Sequence, residues 1–178
     1  MIQQSIINLQ STINNLRETR MVQEFFMWCE STAIHSAIAN SPWAFAAIES
    51  VHLLGLAAIG GAVLVADLRL LGLGLKRQPI AEVALNAYPW LVGSLLVMIA
   101  SGIPLFLSEP IKCYHSTPFW WKMTSIALAI LFTFTIRRKV MLADETRVRP
   151  IFQKLVALVS LTLWCSVGAA GRWIGFSG

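Results

Sequence analysis

Four stretches of the chain are apolar, nearly free of charge and long enough to cross a bilayer, which takes about 20 helical residues. The first runs from about Trp43 to Leu71 and is uncharged between Glu49 and Asp67. The second is uncharged from Val83 to Ser108, and the third follows Pro118 to about Ile136. The fourth runs from Pro150 to about Phe176, with no charge between Lys154 and Arg172. Backbone groups in hydrocarbon must find partners inside their own segment, so these stretches read as helices; the residue alternation of a membrane barrel strand is absent. Of the 178 residues 13% are charged, about half the roughly 25% of a soluble domain, which excludes a polar-skinned globule and a disordered chain. The expected fold is an all-α four-transmembrane-helix bundle over residues 41–178, preceded by an amphipathic, interfacial N-terminal segment over 1–40.

Positive charge orients the bundle. The loop after the first span carries Arg69, Lys76 and Arg77, and the loop after the third carries Arg137, Arg138, Lys139, Arg147, Arg149 and Lys154. Those nine of the 14 cations fall on one side, leaving Arg17, Arg20, Lys112, Lys122 and Arg172 on the other. Basic loops stay cytoplasmic, so both termini and the 109–121 loop are expected outside. Trp43, Trp120, Trp121 and Trp173 then gather at the outer interface, where indole rings are favoured. The net charge of +5 is explained by these loops and calls for no nucleic acid.

Two features modify this picture. Pro104, in the outer half of span two, removes a backbone donor and should kink that helix, freeing the carbonyl of Ala100. Ahead of the spans, Ile2, Ile6, Leu9, Ile13 and Leu16 form one apolar stripe on a polar helix, the pattern of a segment lying on the membrane or docked on a partner subunit. Phe25, Phe26, Trp28 and Ile34 form a second amphipathic piece, expected in the outer interface. Cys29, Cys113 and Cys165 match no metal or redox spacing. Whether Cys29 and Cys113 pair is left open by the sequence.

An ionisable group within hydrocarbon is costly and is by default a functional hypothesis. Glu49 and His52 stand three residues apart in the outer half of span one, on one helix face, with Gly55 and Gly60 below them. The glycines leave a short groove for another helix or a flat ring. Three readings follow. In the first the pair locks helix packing, with Glu49 also bonded to Lys122 or Arg172. In the second His52 is an axial ligand of haem b, with Arg172, Lys122 and Lys112 placed to meet the propionates. No other span holds a histidine, so the second ligand falls to His35 or His115, or by residue type to Met98 or Met123. In the third, Glu-x-x-His is half of a di-iron motif whose second half and bridging carboxylates are missing. Asp67 and Arg69 read as a boundary pair reaching for the interface, and Arg137-Arg138-Lys139 as a topogenic cluster that also meets anionic lipid. No nucleophile elbow and no phosphate-cradling glycine loop occurs.

Ser41-Pro42-Trp43 through Glu49-x-x-His52-Leu53-Leu54-Gly55, Ala66-Asp67-Leu68-Arg69-Leu70-Leu71-Gly72, Phe119-Trp120-Trp121-Lys122-Met123 and Gly171-Arg172-Trp173-Ile174 carry a resemblance. From about residue 25 to 176 the chain resembles a family of small bacterial four-helix inner-membrane proteins of unassigned function. The resemblance implies a multi-pass protein of the bacterial inner membrane and brings no activity with it. It places Glu49, His52, Asp67, Arg69, Lys122 and Arg172 in matching segments and leaves His35 and His115 outside them. The functional expectation is a membrane subunit of a periplasm-facing redox complex. In it a haem b or quinone sits near His52 and Glu49, with Lys122, Arg172 and Gly55 contributing. The alternative is a cofactor-free assembly subunit that docks partners through its N-terminal helix, and a transporter or proton path stands third.

Overall fold

The computed structural model describes residue 17, residues 20–143 and residues 148–175. The stripe from Ile2 to Leu16 lies outside the described residues. All described regular structure is helical, and four helices are long and apolar enough to cross a membrane: Trp43–Leu71, Ile80–Ser108, Thr117–Leu142 and Pro150–Ile174. These are spans one to four, within a few residues of the sequence boundaries.

Local chemistry sets the ends of the helices. Span one starts at Pro42, whose missing N–H is harmless in a first turn, behind Ser41, whose Oγ accepts from the Ala44 N–H at 3.3 Å. It stops at Gly72, which takes a left-handed φ of 75° that a side chain would oppose. The Gly72 and Leu73 amides then close on the Arg69 and Leu68 carbonyls. Span two runs unbroken through Pro89 and Pro104. Span four opens on Pro150.

Span one lies between spans two and four, and span three packs along span four. Span two meets span three at the turn Arg138–Leu142, and aromatic rings bridge the rest of that seam. Phe106 stacks on Phe119 near one end, and Tyr88 meets Phe134 edge-on toward the other. On span two, Ser94, Ser101 and Ser108 recur every seven residues, are buried, and return their hydroxyl protons to carbonyls of their own helix. Such small residues let membrane helices approach closely where no hydrophobic drive exists between them. Ile59, Ala62, Val63 and Leu91 form a mid-bundle core; Ala66, Leu70, Ile80, Val140, Met141, Val156 and Ala157 form another at the basic end.

Span three is not a uniform α-helix. Residues Thr133–Arg137 form a π-helical turn. Its buried positions Ser125, Ala129, Thr133, Arg137 and Met141 recur at steps of four. In a 3.6-residue helix each such step slips about 40° around the axis. The wider turn absorbs part of that slip and keeps Arg137 inside, while Arg138 and Lys139 remain exposed.

At the tryptophan-rich end, residues 20–30 are helical and followed by the helix Ala33–Ala39. This segment does not merely lie flat: Phe26 is buried among the rings of Phe106, Tyr114, Phe119 and Trp120, while Phe25, Trp28 and Ile34 stay exposed. His35 fixes it further. Its Nδ1–H donates at 3.0 Å to the Leu107 carbonyl, which the final turn of span two leaves without a helical partner.

Candidate functional site

Around His52 the geometry is explicit. Its Nδ1 lies 2.9 Å from Ser101 Oγ, and Ser101 spends its single proton on the Val97 carbonyl at 2.6 Å. The hydroxyl can therefore only accept from the imidazole, which places the histidine proton on Nδ1 and leaves Nε2 a bare lone pair. The ring is half-buried against Gly102, where a Cβ would stand 3.4 Å from His52 Cε1. Nε2 is neither hydrogen-bonded nor among the sealed unsatisfied atoms, so it opens at the edge of the bundle.

The other residues expected here are only partly brought together. Glu49 is exposed on the outside of span one and, among the described residues, makes no ion pair or hydrogen bond; the expected bond to Lys122 or Arg172 does not form. Three residues of helix turn the two side chains about 60° apart, enough to send His52 toward span two and Glu49 out of the bundle. Lys122 lies along span four, with Nζ 3.5 Å and Cε 3.6 Å from where a Gly171 Cβ would be, and is within electrostatic range of His52 and Cys113. Arg172 is exposed near the end of span four. His115 is exposed and edge-on to Tyr114, and His35 is held by Leu107. Among the described residues no cluster of three or more His, Cys, Asp or Glu gathers as a metal site.

The groove at Gly55 is filled from within. A Cβ there would lie 3.2 Å from Val97 Cγ1 and from Met98 Cγ, so the glycine admits side chains of span two rather than a flat ring. The three cysteines are free thiols. Burial and the nearby Glu109 carboxylate push the Cys113 thiol up to about 11, against the opposing charges of Lys122 and Lys112. Burial raises the Cys29 thiol as well.

A second polar site lies at the basic end, where the sequence suggests only boundary charges. Asp67 is 0% exposed and Arg137 5%; Arg137 Nε donates to Asp67 Oδ1 at 2.7 Å across spans one and three. Arg69, the expected neighbour of Asp67, instead donates to the Gln78 carbonyl at 2.7 Å. Ser160, fully buried on span four, stands beside the Asp67 carboxylate, and Arg137 Nη2 is buried without a hydrogen-bond partner. Trp164 Nε1–H donates to Thr133 Oγ1 at 3.1 Å, tying span four to the π-helical turn. The signal in the sequence is the step of four that joins Arg137 to Ser125, Ala129, Thr133 and Met141 and sets that arginine apart from its two basic neighbours.

The chain belongs to the family of unknown function DUF6644, whose pattern it matches over residues 25–177. That range takes in the Phe26 segment as well as the bundle. Among characterised proteins and among solved structures no match to the chain is found.

Proposed function

We propose that this protein is a small membrane subunit of a periplasm-facing redox assembly in the bacterial inner membrane, in which His52 meets a membrane quinol. The basic loops set the cytoplasmic side by the positive-inside rule, which puts His52 in the outer half. One observation carries the reading: the Ser101 hydroxyl fixes the proton on Nδ1 and presents Nε2 as a bare acceptor. A bare lone pair attracts the hydroxyl of a quinol and repels the carbonyl oxygen of a quinone. Nε2 is also placed to receive one of the two protons that a quinol releases when a redox centre of a partner subunit takes its two electrons, the other proton leaving to the outer aqueous side. Lys122 supplies a positive charge in range of the oxygen left behind.

One neutral hydrogen bond is worth about 0.5–1.5 kcal/mol, or roughly two- to twelvefold in affinity. Titration of the purified protein with a short-chain quinol and its quinone, followed by tryptophan fluorescence, checks this. The quinol binds several-fold tighter, and His52→Phe removes the difference. Equal affinities in the wild-type protein would refute the reading.

The alternative, an assembly subunit without a redox ligand, is favoured by Glu49, a carboxylate on the outside of a membrane helix with no ion-pair partner among the described residues. Such a charge calls for a neighbouring subunit. Under that reading Glu49→Gln releases co-purifying partners while His52→Phe does not.

A further inference from the structure

The seam between spans two and three opens, at the basic end, into a cavity of about 170 Å³. Its walls are mainly apolar, from Leu85 and Leu91 on span two and Phe134 and Met141 on span three. Its polar edge is made by Arg137 and Arg138, the Arg138 guanidinium standing 5.2 Å above the Tyr88 ring. Arg137, more than nine-tenths buried, stands behind this edge: Asp67 takes its Nε, its Nη2 is sealed from the cavity, and what it adds there is charge. The π-helical turn Thr133–Arg137 forms part of this wall, and such turns are frequent at functional sites.

Size and charge together select the occupant. Sites that enclose a whole small molecule hold about 300–1,000 Å³, so this cavity takes only part of its ligand. With Asp67, Arg137 and Arg138 counted, the local charge is +1, which calls for an anionic group beside an apolar body. We propose that the cavity seats an anionic phospholipid of the adjoining leaflet, its phosphate at the exposed Arg138, within the positive field that the buried Arg137 reinforces, and the start of one acyl chain between spans two and three. Basic pockets between membrane helices are suited to this headgroup chemistry.

The test is native mass spectrometry of the full chain released from nanodiscs of equal phosphatidylglycerol and phosphatidylcholine. One phosphatidylglycerol is retained per chain in preference to phosphatidylcholine. Arg138→Gln, an exposed change, lowers that retention roughly fivefold, the effect of one cation at a membrane surface. Ala84→Phe, which fills the cavity from its wall, lowers it further while circular dichroism stays unchanged. Lys154→Gln, an exposed cation away from the cavity, leaves it as it was. Equal loss in Lys154→Gln and Arg138→Gln would reduce the effect to diffuse surface charge and overturn the proposal. Equal retention of the two lipids, or displacement by millimolar glycerol 1-phosphate, would overturn it as well, the latter by assigning the site to a soluble phosphate ester.

Discussion

Replacing Asp67 by Asn should be among the most damaging single changes in the bundle. The Asp67 carboxylate is fully buried and accepts from Arg137 Nε at 2.7 Å, while Arg137 Nη2 is already without a partner. Neutralising the acid leaves the guanidinium charged, dry and uncompensated. Removing one partner of a buried pair costs about 3–5 kcal/mol, whereas replacing both by apolar groups of similar volume is often nearly neutral. In a chain of this length 1 kcal/mol moves the melting temperature by about 2–4 °C, so the single change should lower it by roughly 6–20 °C. Far-UV circular dichroism on heating in detergent reads this, and Asp67→Leu with Arg137→Met should restore most of the loss. A single variant within about 2–4 °C of wild type, or a double variant worse than the single, would refute the assignment of a dry, mutually dependent pair.

Other consequences are equally concrete. Gly55→Leu drives a side chain into Val97 and Met98, and overpacking of this kind costs about 1–3 kcal/mol, read by the same melt. His35→Ala strips the Leu107 carbonyl of its donor and should speed proteolysis within residues 20–39 while leaving the spans intact. In a Cys29→Ser, Cys165→Ser background, the Cys113 thiol, pushed up to about 11, has only about a thousandth of its population as thiolate at pH 8. Its alkylation should therefore be slow at pH 8 and rise close to tenfold per pH unit toward 11. For orientation, a membrane-impermeant maleimide should label Lys112→Cys in intact spheroplasts and Lys76→Cys only after permeabilisation.

Much of the fold was legible because hydrocarbon imposes a coarse rule: long uncharged runs become helices, and Ser41-Pro42, Gly72 and Pro150 mark their ends. Side-chain direction was less legible. Glu49 and His52 share a face by spacing, yet a turn of about 60° separates a side chain that meets span two from one that leaves the bundle. Asp67 and Arg69 are neighbours in sequence, but the partner of Asp67 lies 70 residues away. Arg137 sits in a basic triplet that reads as one topogenic signal, and only the π-helical turn gives it an interior place. A period of 3.6 cannot anticipate that insertion. The Gly55 groove is real as a gap in span one, but the side chains that fill it belong to span two.

The state of the His52 ring is the most direct test of the account. The chain has three histidines, so ¹⁵N-histidine labelling with a His52→Gln control isolates its two ring resonances. They should show a protonated Nδ1 and an unprotonated Nε2, and addition of a short-chain quinol should shift Nε2 while its quinone does not. A protonated Nε2, or an Nε2 resonance unmoved by quinol, would contradict it.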